Sequence, residues 1–275
     1  MKTLMITGTN SSAGKSFLVT ALCRYFAKKN IKVFPFKSQN MSRNFYLTED
    51  GKKMSTAQAT QAFACNLKPD VRMNPILLVP MTNTGSDVYL LGEYVDHKDA
   101  RELFKWKEDK ATFIKDVFDS IKKEYDLVII EGAGSPAEIN LRENDIVNMG
   151  LADLVDANVI LVGDIEKGGV FASLYGTVKI LDKTDSDRIK GLIINKFRGD
   201  ASLLDSGIVQ LEKMTDKKFL GVIPYSDVFL EDEDSLTEYK KKIIKIGDED
   251  FIKELDKACD LITEHLDMEA IESLL

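Results

Sequence analysis

Residues 8 to 16 read GTNSSAGKS, directly after the apolar run Leu4-Met5-Ile6 and directly before the helix-like stretch Phe17-Leu18-Val19-Thr20-Ala21-Leu22. A glycine-rich loop ending in Gly-Lys-Ser between a strand and a helix is the arrangement of a phosphate-binding P-loop, so the chain is expected to bind a nucleoside triphosphate, ATP or GTP. Gly14 lets backbone N–H groups approach phosphate, Lys15 reaches the β and γ oxygens, and the Ser16 hydroxyl is a ligand for Mg²⁺ at the positive end of a helix. Contacts to the nucleotide are expected from Thr9, Asn10, Ser11, Ser12, Ala13, Gly14, Lys15, Ser16 and Phe17, with Lys15 at the surface edge of the sheet. The first glycine, Gly8, lies one residue further from Gly14 than in the common GxxxxGK[ST] spacing, and Thr9 stands where that glycine usually is. A Gly/Ser-rich turn without a ligand is the alternative, and it leaves the fit of both flanks unexplained.

At 275 residues with 44% hydrophobic content, the chain is long enough to bury a substantial core. Its 37 basic and 45 acidic residues give a net charge of −8. The signs are interspersed apart from the acidic Glu231-Asp232-Glu233-Asp234 and the basic Lys240-Lys241-Lys242. A broad basic face for nucleic acid is not expected from this pattern. The longest apolar runs fall far short of the roughly 20 residues that span a bilayer, so a soluble, cytoplasmic protein without a membrane partner is expected. Cys23, Cys65 and Cys259 are widely separated and form no CxxC pair, and His97 and His265 have no metal-ligand spacing. Packed cysteines and surface or capping histidines follow.

Apolar, β-rich runs recur at 4–8, 32–37, 127–132, 159–164, 191–196 and 220–224, separated for the most part by amphipathic segments of helical length. That alternation predicts an α/β fold, a mostly parallel sheet with helices on both faces, in a single P-loop domain over 1–275. Two further runs, 76–79 and 88–91, joined by the polar turn 82–86, predict a hairpin that is either an insertion or an antiparallel edge within the fold. Apolar residues at helical spacing from Phe251 to Leu266 predict a helix within a helical closure over 249–275.

In such a sheet the ligand lies beyond the carboxyl ends of the strands, and those ends carry the polar residues of interest. Glu131 ends the run Leu127-Val128-Ile129-Ile130 and precedes Gly132-Ala133-Gly134. A carboxylate there can share a Mg²⁺ with Ser16 and the phosphates, or else form an ion pair at the strand end. Lys37, also at a strand end, can stabilise charge on a transferred phosphoryl group or on an acceptor carboxylate, or else be a solvated lysine.

A longer set of segments carries a resemblance. FKSQNMSRNF (36–45), AQATQA (57–62), MNPILL (73–78), EGAGSPAEINLRENDIVNMGLA (131–152), DIEKGGVFASLYGT (164–177), INKFRGD (194–200) and GVIPY (221–225) resemble, in order over about residues 1–235, the amino-terminal ATP-dependent domain of the cobyric acid synthase family. The loop itself is similar to that of the wider group containing dethiobiotin synthetase. Partition and cell-division ATPases of that group carry a signature lysine where this chain has Asn10, which argues against that role.

The resemblance implies a dethiobiotin synthetase-like P-loop fold, a homodimer, and an ATP- and Mg²⁺-dependent ligase in which ATP phosphorylates a small-molecule carboxylate and ammonia displaces the phosphate to form an amide. It implies that Asn195 and Pro224 lie at the adenine edge, that Ser38, Gln39, Asn40, Gly132, Ala133, Ser135 and Asn140 face the acceptor, and that Asp164, Gly168 and Gly169 lie on the far side of the site, with Lys15, Lys37, Glu131 and Asp164 as the catalytic set. The family continues into a glutaminase domain with a nucleophilic cysteine on a glycine-flanked turn. None of the three cysteines here is so flanked, so ammonia is expected to arrive free or from a separate glutaminase chain. Val79 replaces a lysine of the family's LLKP, Asp87 replaces the amide of SQV, and Ser55-Thr56 replaces Gly-Arg. These exchanges remove two cations and add an acid on the acceptor side, and so weaken the expected attraction for a polycarboxylate corrinoid. Dethiobiotin synthetase activity and a nucleotide-dependent switch remain as alternatives.

Overall fold

The computed structural model describes residues 1–82, 85–107, 109–228 and 246–275. The acidic run 231–234, the basic run 240–242 and part of the polar turn at 82–86 lie outside the described residues. The strands are β1 (Lys2–Gly8), β2 (Val33–Phe36), β3 (Gln39–Met41), β4 (Phe45–Leu47), β5 (Lys53–Ser55), β6 (Ile76–Pro80), β7 (Gly85–Leu90), β8 (Glu93–Asp99), β9 (Leu127–Glu131), β10 (Asn158–Asp164), β11 (Ile189–Phe197) and β12 (Lys218–Pro224). The helices are α1 (Lys15–Lys28), α2 (Thr56–Ala64), α3 (Ala100–Lys107), α4 (Lys110–Ile121), α5 (Met149–Val155), α6 (Val170–Ile180), α7 (Lys183–Arg188), α8 (Asp205–Thr215), α9 (Glu249–His265) and α10 (Met268–Ser273).

Six strands form one parallel sheet in the order β12-β11-β10-β1-β9-β2. All six coincide with apolar runs read from the sequence. Because successive strand side chains point to opposite faces, each strand feeds two cores. Met5, Val128 and Ile130 pack on one face, with Phe118 of α4, Leu151 of α5 and Leu174 of α6. Leu4, Ile6, Leu127 and Ile129 pack on the other, with Leu18 and Leu22 of α1 and Leu255 and Ile262 of α9. Burial on both faces explains why these strands read as continuous apolar runs rather than alternating ones.

The predicted hairpin is present as β6 and β7, antiparallel, within a four-stranded sheet ordered β3-β6-β7-β8. β3 joins it parallel to β6, with Gln39 opposite Ile76. Lys37 N–H donates to the Met73 carbonyl and Ile76 N–H to the Ser38 carbonyl, so the segment after β2 is pinned between the two sheets. The predicted terminal helix is α9, capped by Asp248 and followed by α10. Among the described residues no helix is long and apolar enough to cross a membrane.

Candidate functional site

The loop after β1 turns into α1 through Gly14, whose φ of +93° is in the left-handed region that favours glycine. A second constraint acts on the same atom: a Cβ added there would come within 2.0 Å of the Asn195 Nδ2. That amide donates to the Ala13 carbonyl at 2.9 Å. Lys196 donates to the Ser12 carbonyl at 2.5 Å, and the Lys167 ammonium to the Ser11 carbonyl at 3.3 Å. Three consecutive loop carbonyls are therefore held by side chains from β11 and from the loop after β10. The loop so held runs into the N-terminus of α1, the positive end of a helix, which attracts an anion.

Lys15 differs from expectation. It is buried rather than at a surface edge, with 7% relative exposure. Its ammonium donates to the Asn10 carbonyl at 3.2 Å and to the Gly134 carbonyl at 3.3 Å. The loop curls over its own lysine and the segment after β9 closes the other side, so a flexible stem is covered while its charged end lies between the two glycine-rich turns.

At the end of β9, Glu131 is 1% exposed and its two oxygens are divided between two sets of donors. Oε1 accepts from the Ser16 hydroxyl and from the Lys37 ammonium, each at 2.8 Å. Oε2 accepts from Gln61 at 2.5 Å and Gln58 at 3.3 Å. Burial works to raise this carboxyl's pKa, but the Lys37 charge and the hydrogen bonds from Lys37, Gln61 and Ser16 outweigh it and hold the pKa below the ordinary carboxylate range. Lys37 is itself 3% exposed, so it is an ion-paired buried cation and not a solvated one.

A serine hydroxyl and an ionised carboxylate 2.8 Å apart, at the mouth of a phosphate loop, are two hard oxygen donors. Among the described residues no group of three or more His, Cys, Asp or Glu is placed to hold a metal. That pairing suits Mg²⁺, which is bound by one or two protein oxygens together with nucleotide phosphates rather than by an all-protein cage.

The family profile of the CobQ/CobB/MinD/ParA nucleotide binding domain matches residues 4–236. The chain belongs to this family. Within this nucleotide-binding family it is similar to curated relatives named cobyric acid synthase. That of Clostridium acetobutylicum is 53% identical over 243 residues, covering 88% of this chain and 50% of the relative. That of Caldanaerobacter subterraneus subsp. tengcongensis is 54% identical over 235 residues, covering 86% and 46%. That of Limosilactobacillus reuteri is 48% identical over 275 residues, covering 99% and 54%. The chain thus spans about half the length of the curated relatives it matches. In shape, the signal recognition particle receptor FtsY of Elizabethkingia anophelis overlaps 94% of this chain and 65% of its own at 14% identity, with a TM-score of 0.47.

Around the nucleotide-binding loop the remaining site residues fall into groups. Gly132 follows Glu131 with no room for a side chain, because a Cβ there would lie 2.4 Å from the Asn148 Oδ1. Asn148 clasps Ala133 from both sides, accepting from its N–H at 3.1 Å and donating to its carbonyl at 2.5 Å. Ser38 donates to the Ile146 carbonyl at 2.6 Å, and Asn40 donates to Ser55 and Gln58 at 2.6 and 3.0 Å. Gln39 is buried, and among the described residues its Oε1 has no hydrogen-bond partner. Ser135 accepts from the Ala137 N–H at 3.2 Å and so shapes its own turn.

Other residues have more local surroundings. Asp164 accepts from the Glu166 N–H at 2.9 Å and from Lys196 at 3.2 Å, which orients the loop after β10. Gly168 and Gly169 have φ of +73° and +66° and carry the chain into α6. Asn140 is exposed and lines a surface hollow with Phe104 of α3, Leu141, Glu143 and Asn144. Asn195 faces the phosphate loop, while Pro224 ends β12 opposite Phe197 and precedes Tyr225, whose ring lies 3.3 Å from the Arg198 guanidinium carbon. Gln58, Gln61 and Asn148 lie within the segments that carried the resemblance, yet nothing in a helical AQATQA or in IVNMG marks them as neighbours of Glu131 and Ala133.

Proposed function

We propose that this chain binds ATP with Mg²⁺ and activates a small-molecule carboxylate by phosphoryl transfer, for amidation by ammonia, as its relatives' name cobyric acid synthase suggests. The observation that carries the reading is the Ser16–Glu131–Lys37 cluster at the mouth of the P-loop: hydroxyl, carboxylate and ammonium within 2.8 Å steps, all buried. When bound, Mg²⁺ held by Ser16 and Glu131 would neutralise charge on the nucleotide phosphates. The loop N–H groups and Lys15 bind the phosphates. Lys37, on the acceptor side of the cluster, offsets the charge of an incoming carboxylate or of the phosphoryl group passing between them.

Phosphoryl transfer needs alignment and charge stabilisation but no protein nucleophile, and this site supplies the first two. The carboxylate oxygen attacks the γ-phosphorus, ADP leaves, and ammonia then attacks the acyl carbon and expels phosphate. On this reading Asn40, Ser38 and the Gly132–Ala133 turn face the acceptor. A corrinoid acceptor, ammonia supplied free or by a separate glutaminase, and a homodimeric assembly belong to this same reading.

The test is ADP release from ATP by the purified chain with a corrinoid carboxylate, with and without ammonium. Release that needs both is the expected result, and Lys15→Ala should abolish it together with nucleotide affinity. Release driven by diaminopelargonate and bicarbonate would move the reaction to dethiobiotin synthesis. Release indifferent to every small acceptor would refute the ligase reading.

A further inference from the structure

Glu131 belongs to a longer polar circuit whose glutamines the proposed chemistry does not use. Gln58 and Gln61, both 0% exposed, lie three residues apart on α2 and so share one face of that helix. Their amide nitrogens converge on the same carboxylate oxygen, Oε2, while the other oxygen is left to Ser16 and Lys37. Gln58 Nε2 also donates to Gln61 Oε1 at 3.3 Å, and Gln58 Oε1 accepts from Asn40 at 3.0 Å. Asn40 donates in turn to Ser55, the N-cap of α2, at 2.6 Å. Ser55 N–H donates to Asn74 Oδ1 at 3.2 Å, and Asn74 Nδ2 donates to the Lys37 carbonyl at 3.2 Å. Lys37 then returns through its ammonium to Glu131. The ring is closed.

Such a ring does more than tie α2 to β9. A carboxylate held only through Oε1 is free to rotate about its last bond, and Oε1 is the oxygen that meets the Ser16 hydroxyl. Two amide donors on Oε2 fix that rotation. An ionised carboxylate accepts only, so it also fixes which way each amide points.

We propose that Gln61, supported by Gln58, is a positioning residue that aims one oxygen of Glu131 at the cation held with Ser16. The proposal rests on the reading of Glu131 and Ser16 as Mg²⁺ donors. Partners that orient a metal ligand typically change metal affinity about 10–100-fold when removed.

The experiment is calorimetric binding of a non-hydrolysable ATP analogue across a series of Mg²⁺ concentrations, for the parent chain, Gln61→Met, Gln58→Met, the double variant and Glu131→Gln. Methionine keeps the length of the side chain and removes the donors, and thermal melting verifies that each variant is folded. Gln61→Met should bind the analogue without Mg²⁺ within about twofold of the parent and raise the half-maximal Mg²⁺ concentration about tenfold. Gln58→Met, losing the longer of the two bonds to Oε2 together with those to Gln61 and from Asn40, should shift less and gives a second reading should Gln61→Met not fold. The double variant should shift most. Overlay of all three glutamine variants with the parent, while Glu131→Gln shifts, overturns the positioning role alone. Overlay of Glu131→Gln as well overturns the Mg²⁺ reading beneath it. An equal loss of affinity with and without Mg²⁺ assigns the glutamines to the fold or the nucleotide and likewise overturns the proposal.

Discussion

A buried cation and a buried anion that hold each other are strongly dependent on one another. Removing the ammonium from the Lys37–Glu131 pair leaves an uncompensated charge, which costs about 3–5 kcal/mol in comparable settings. Lys37→Met should therefore lower stability by that order at neutral pH, with Ser16 and the glutamines retaining part of the carboxylate's stabilisation. The pH dependence gives the cause. In the parent, the depressed Glu131 pKa contributes stability above the unfolded carboxyl value, about 4.3, and that contribution disappears as pH falls through the lower folded value. Without Lys37 the largest remaining influence is burial, which raises the pKa. The folded carboxyl then takes up a proton more readily than the unfolded one, and its deficit grows as pH rises through the raised value. The stability gap between parent and variant should accordingly narrow from pH 8 to pH 5, read from urea denaturation midpoints. A gap of constant size would mean that the loss comes from packing rather than charge.

Among the elements, what was legible in the sequence follows from how each one is buried. The six strands of the parallel sheet were readable because both of their faces are covered, which forces apolar residues at nearly every position. β8 was not, since Glu93–Asp99 is an edge strand with mostly exposed side chains and a charged sequence, and its pairing comes from backbone bonds to β7. β3, β4 and β5 are three residues each, too short to show a period. Ser55 illustrates a residue whose role only the fold reveals: it caps α2 by accepting from the Ala57 N–H at 3.2 Å. The same limit applies to the site. Local spacing was enough to put Gly14, Lys15 and Ser16 at a loop–helix junction and Glu131 at a strand end, whereas Gln58 and Gln61 meet Glu131 only because α2 packs against α1 and against β2, the strand next to β9. The helix α9 was legible from its apolar spacing and has a testable weight: it buries Leu255 and Ile262 fully against α1 and β12. Ile262→Ala should cost about 2–5 kcal/mol by the cavity it leaves. Because Ile262 packs in the core with α1 and β12 and is not a member of the Glu131 ring, nucleotide affinity measured well below the melting temperature should stay within about twofold of the parent. A selective loss of nucleotide affinity without loss of stability would place α9 in the site.

At the scale of the whole chain, cysteine chemistry bears on the proposed nitrogen source. Opening a glutamine amide by covalent catalysis needs a reactive thiolate, which is favoured by a lowered pKa and an accessible turn. Cys23, Cys65 and Cys259 are all buried. Burial, supported by Cys65 and by the Glu131 charge, pushes the Cys23 thiol well above its ordinary pKa, and burial also raises that of Cys259. Both shifts are in the wrong direction for a nucleophile. The relatives named cobyric acid synthase are about twice as long as the region they share with this chain. This chain by itself should therefore form amide from ammonium at saturating ATP and not from glutamine. Replacing the three cysteines by alanine one at a time should leave the ammonium-driven rate nearly unchanged in every variant that remains folded. Mass spectrometry with ¹⁵N-ammonium and with amide-¹⁵N-glutamine distinguishes the two sources in the product. Label arriving from glutamine in the absence of any other protein, and persisting in all three cysteine variants, would require a different nucleophile in this fold and would refute the assignment of ammonia as the substrate that this site receives.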